Sequence, residues 1–111
     1  MSESPLRVYV DAWTLRQKFN ALRYYERYVA GELRALVDDE YVPKPEYGFP
    51  PGTKSQRVLY YDGEIAVAVV HQYILADGSI GASGLPDPKW VLDGDTILML
   101  ESSKRPPSQR A

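Results

Sequence analysis

Four arginines, Arg16, Arg23, Arg27 and Arg34, follow one another at intervals of 7, 4 and 7 residues. On an α-helix, which turns about 100° per residue, these intervals bring all four within roughly 40° of one another. Guanidinium groups in such a row suit phosphate or carboxylate, because each offers a planar fork of N–H donors. Glu26 and Glu32 fall on other sides of the same projection, so the row lacks in-register acidic partners. Tyr24 and Tyr28 flank it. Arginine beside an exposed ring suits a nucleotide or short nucleic acid, with guanidinium to phosphate and ring to base. The competing reading is a solvated face, or arginines paired with acids elsewhere, such as Asp38, Asp39, Asp93 or Asp95.

Arg57, Lys89 and the basic C-terminal residues extend the cationic set. Gly81-Ala82-Ser83-Gly84 could turn successive backbone N–H groups toward an anion, but its spacing matches neither the P-loop nor the dinucleotide fingerprint. A turn with unusual backbone angles explains it equally well. His71 is the only histidine. As a general base it would need an orienting carboxylate, for which Asp77 or Asp87 would have to fold back; a packed, hydrogen-bonded histidine is the plainer reading. With one histidine and no cysteine, a metal site would have to be built from carboxylates. The aspartates at 62, 77, 87, 93 and 95 all fall in expected turns, where local hydrogen bonding favours them. No metal, cofactor or catalytic residue is assigned.

The element that must carry the arginine row is a helix over residues 14–37. Thr14 and Gln17 have the capping-box spacing, and Leu15, Phe19, Leu22, Val29, Leu33 and Leu36 form an apolar seam at intervals of 4, 3, 7, 4 and 3. Glu26 interrupts the seam, and Gly31 either marks a close crossing or splits the helix. A continuous helix is favoured. Its length of about 36 Å exceeds what a small sheet can cover, so part of the seam would meet another subunit.

Strands are expected around it. Residues 6–11 alternate; 57–61 and 64–75 form a hairpin through Asp62-Gly63; 90–92 and 96–100 follow, joined through Asp93-Gly94-Asp95. In the longest strand, Val67, Val69, His71 and Tyr73 share one face, and Ala66, Ala68, Val70 and Gln72 the other. Neither face is consistently polar, so both need cover. Residues 43–56, with four prolines, form a long strap in which Tyr47 and Phe49 are apolar pins. Residues 79–89 read as a structured loop.

The 111 residues fit one domain, over 6–101, between a flexible N-terminus (1–5) and a mobile basic tail (102–111). The fold expected is α+β: one long N-terminal helix on a small, mainly antiparallel sheet, in the order β-α-β-β-β-β, associating as a homo-oligomer. A net charge of −2 gives no global attraction to nucleic acid or anionic membrane, so any anion site must be local. Absence of cysteine, of a signal peptide and of a long apolar run favours a cytoplasmic protein with no membrane partner. Nine tyrosines against two phenylalanines favour half-buried contacts and stacking on ligand rings.

The succession of a strand, a helix and further strands, with basic side chains, is similar in element order to small RNA-cleaving toxins of the RelE type. That resemblance implies a ribonuclease, although those toxins are markedly basic and this chain is not. The reading preferred here is a non-catalytic, homo-oligomeric module for a phosphate-bearing ligand, a nucleotide or short nucleic acid. It would use Arg16, Arg23, Arg27, Arg34, Tyr24, Tyr28, Arg57, His71 and Lys89. The alternatives are a ligand-free protein-interaction or inhibitor module and, third, the RelE-like ribonuclease.

Overall fold

Asp11 follows the first strand, β1 (Leu6–Val10), and opens the first helix, α1 (Ala12–Ala21). Its extended backbone turns the carboxylate onto the free N–H of Thr14 at 2.7 Å. The helix therefore begins at Ala12, capped by Asp11, and not at the expected Thr14–Gln17 box. The computed structural model describes residues 6–81 and 84–101. The expectations for residues 1–5 and 102–111, and for Ala82 and Ser83, lie outside them.

The single long helix over 14–37 does not form. Leu22 closes α1 by donating to Lys18 O, and Arg23 takes the left-handed conformation at φ 60°, which breaks the helical ladder. A second short helix, α2 (Tyr24–Val29), ends at Gly31. There Gly31 N–H donates to Tyr28 O and Glu32 N–H to Arg27 O, the paired bonds of a Schellman stop, with glycine supplying φ 85°. Residues after it become an edge strand, β2 (Arg34–Tyr41). The break divides the expected seam: Leu15, Phe19 and Leu33 join one core and Leu22 packs against it, while Val29 and Leu36 are left exposed. Folding the chain back lets Leu15, Phe19, Tyr24 and Leu33 reach the same core, which a straight rod could not do. Fully burying one such side chain stabilises by about 1.5–3 kcal/mol.

The expected small sheet is instead six strands wide and dominates the molecule. A one-turn 3-10 helix (Pro45–Tyr47) leads to β3 (Lys54–Asp62), β4 (Ile65–Ile74), β5 (Asp87–Asp93) and β6 (Thr96–Leu100). The spatial order is β1-β6-β5-β4-β3-β2, with β1 parallel to β6 and every other pair antiparallel. Strands β2 to β6 thus run back as a meander from one edge, while α1 and α2 carry the chain between the two edges. Gly63, at φ 61°, makes the β3–β4 turn where the Asp-Gly pair points.

The helices cover the face bearing Val58, Tyr60, Ala68, Val70 and Val91. Ala68 is fully buried there, as the small residues of β4 lead one to expect. Phe19 and Tyr60 lie 6.3 Å apart, Tyr28 stacks on Tyr60 at 5.1 Å, and the Tyr24 hydroxyl donates to Leu92 O at 2.6 Å. On the other face Tyr9, Met99, Trp90, Val69, Leu59 and Leu36 lie in register across all six strands. The proline strap covers part of that face, where Phe49 meets Tyr73 at 4.1 Å. Among the described residues no helix is long and apolar enough to cross a membrane.

Candidate functional site

A cleft of about 830 Å³ opens where β4 runs past the start of β5. Arg16 and Asn20 reach it from α1; His71, Gln72 and Tyr73 from β4; Asp87 and Lys89 from β5. Tyr41 at the end of β2 and Tyr47 of the strap complete an aromatic side, and both rings are more than half exposed. Gly81, Leu85 and Pro86 form the lip. Its size falls in the range of small-molecule pockets, about 300–1,000 Å³.

Asp87 is the electrostatic pivot of the cleft. Its carboxylate meets Arg16 Nη2 at 3.2 Å through one oxygen and Lys89 Nζ at 3.2 Å through the other. Two cations sharing one carboxylate leave an excess positive charge at the rim. These side chains are 40–53% exposed, so each pair is worth at most about 1 kcal/mol and yields readily to a better anion.

His71 lies in register with Asp87, but its ring bonds elsewhere. Nε2 is 2.6 Å from Oγ of Ser55, a residue fully buried on β3, and the ring meets Tyr73 edge-on at 4.7 Å. Partial burial lowers the histidine pKa from its ordinary value and Lys89 lowers it further, against the opposing pull of Asp87. The imidazole is thus held neutral and oriented, as a hydrogen-bonding wall of the cleft. Ser55, having no exposure, positions the ring and is closed to substrate. Asp77, the other carboxylate considered for His71, is occupied by the N–H and hydroxyl of Ser79.

Of the residues selected from sequence, Arg16, His71 and Lys89 come together here. The rest of the arginine row does not, because the helix that aligned it is broken, and Arg57 lies apart on β3. Arg23 pairs with Glu26 at 3.5 Å, and Arg27 with Glu32 and Asp62 at 3.1 and 3.0 Å. Arg34, on β2, lies over the Tyr61 ring at 4.5 Å, and Arg57 pairs with Asp38 at 3.5 Å. Tyr24 is buried and Tyr28 is stacked on the core ring of Tyr60. A smaller depression beside α2 sets Arg23 and Arg27 against Glu26 and Glu32, so its charges balance and it offers an anion little. No motif in the sequence marks Asn20, Tyr41, Tyr47, Ser55, Gln72 or Tyr73 for a site. The excess of tyrosine over phenylalanine was the one signal that bore on three of them.

Comparison with family models, with curated proteins and with solved structures finds no match for this chain.

Proposed function

We propose that this protein is a non-catalytic, homo-oligomeric binding module that holds a small phosphate-bearing molecule of nucleotide type. The observation that carries this reading is the convergence of Arg16 and Lys89, from separate elements, on the single carboxylate of Asp87 beside Tyr41 and Tyr47. A ligand phosphate would take the place of Asp87 between the two cations, with its ring against the tyrosines and its polar edge toward Gln72, Asn20 and neutral His71. Binding is favoured over catalysis because the hydroxyl nearest the histidine is buried and serves to orient it. A single nucleotide suits the cleft better than a long polyanion, which the net charge of −2 would repel. The exposed ends of the apolar row on the sheet face away from the helices, Tyr9 and Leu36, support self-association, and a chain without cysteine suits a reducing, cytoplasmic setting.

Calorimetric titration with nucleoside mono- and diphosphates at low salt tests the ligand. Arg16→Ala and Lys89→Ala should each weaken binding by about 10–100-fold, the worth of one charge-assisted hydrogen bond. Arg23→Ala should leave it unchanged. Wild-type protein that binds none of these nucleotides at low salt ends the reading.

A further inference from the structure

Strand β2 forms one border of the sheet. β3 pairs with its inner side, and among the described residues no strand pairs with its outer side. Border strands are ordinarily kept single by charged side chains, lysine above all, by proline, by bulges or by shortness. β2 has a bulge and acids only in its second half, and its first half carries one charge, Arg34. β2 runs eight residues without lysine or proline, and exposes Leu36 and Val37 at 49% and 47%. Its charge is divided along its length, with Arg34 at the start and Asp38-Asp39-Glu40 toward the end.

Two further features fix how such a strand can be used. The bulge between Val37 and Asp39 interrupts regular pairing, so the regular part runs from Arg34 to Val37 and ends at Asp38. Within that part Arg34 and Leu36 share the face of their partners Tyr61 and Leu59, while Ala35 and Val37 share the opposite, helix-covered face. Paired strands must set same-face residues opposite one another, which excludes every odd slip of register.

We propose that two copies of this chain join through β2, antiparallel about a two-fold axis at Leu36, so that the two sheets become one. The inference rests on the homo-oligomeric part of the proposed function and is independent of the cleft. In this register Leu36 faces Leu36 of the second copy, Ala35 faces Val37, and Arg34 comes opposite Asp38, which also meets Arg57 of its own copy at 3.5 Å, with Asp39 beside it. Each charge contact occurs twice by symmetry. A parallel pair would set acid against acid, and the same-face register centred on Val37 would set Leu36 against Asp38. A strand of another protein would need the reverse order of charges, which an antiparallel second copy supplies by itself. The join also prolongs the apolar row on the face away from the helices, which ends at Leu36.

Light-scattering mass and sedimentation at micromolar concentration test the pairing. Wild-type protein should have the mass of two chains. Arg34→Glu alone and Asp38→Lys alone each place like charges across the axis, and each should weaken dimerisation by about tenfold or more. An equimolar mixture of the two variants should regain the two-chain mass, because both contacts are then complementary. Leu36→Lys, at a half-exposed position, provides a separate variant that should also dissociate. Far-ultraviolet circular dichroism and thermal melting establish that each variant is folded. A wild-type mass of one chain overturns both this inference and the homo-oligomeric reading. A two-chain mass indifferent to these variants, or a mixture that stays monomeric, overturns the β2 interface alone.

Discussion

Oγ of Ser55 and Nε2 of His71 stand 2.6 Å apart, one fully buried and the other reaching into the cleft. Replacing the serine tests what that contact does. Ser55→Ala leaves one imidazole nitrogen without its partner in a half-buried place, and should cost about 1–2 kcal/mol in urea denaturation. The ring nitrogens should then report a mixture of neutral tautomers by NMR, where the wild type reports one. Unchanged stability and a single tautomer would show that packing against Tyr73 alone sets the ring.

The lowered pKa of His71 fixes the sign of a pH effect. Its pKa in the folded protein lies below the unfolded value of about 6.5, so between the two the unfolded chain binds more protons. Stability should therefore be fully present above about pH 6.5 and decline as the pH falls through and below it. His71→Gln should remove the part of this decline that precedes carboxylate protonation. Asp11, Glu40 and Asp77 have lowered pKa values and contribute a further loss only in the carboxylate range. Denaturation midpoints measured at steps of pH separate the two phases.

Arg23 holds a positive φ that an arginine adopts at a cost of roughly 1–2 kcal/mol. Arg23→Gly should leave stability unchanged or raise it by up to about 1 kcal/mol, since the exposed pair with Glu26 contributes little. Arg23→Val should lower it by about 1 kcal/mol or more. If the glycine variant were the less stable of the two, the break between α1 and α2 would not lie at this residue.

Tyr24 joins the second helix to the far strands through its hydroxyl on Leu92 O. Tyr24→Phe keeps the ring in the core and removes that bond, at an expected cost of about 1 kcal/mol by chemical denaturation. A neutral substitution would mean that the ring alone ties α2 to the sheet.

How far these features were readable from the chain depended on how local their causes were. The β3–β4 hairpin and the β5–β6 turn follow from Asp-Gly pairs between apolar runs, and the first strand from alternation with its acidic end. Residues 34–37 were legible in two ways, since Arg-Ala-Leu-Val continues a helical seam and equally makes a strand. Pairing with Tyr61, Tyr60, Leu59 and Val58 of β3 decided between them. The alignment of the four arginines depended on that choice and was lost with it.

The amino-acid order by itself determined the turns, the strands beside them and the surplus of tyrosine, because each depends on backbone preference or composition within a few residues; Gly31 by itself allowed either a close crossing or a stop. The tertiary structure alone decided the bend at Arg23, the border strand β2, and the meeting of Arg16, His71, Asp87 and Lys89. Those residues lie on three elements far apart in the chain, and no local preference brings them together. What does so is the packing of α1 across the sheet, where burial of Leu15 and Phe19 sets the helix down with Arg16 beside the first residue of β5.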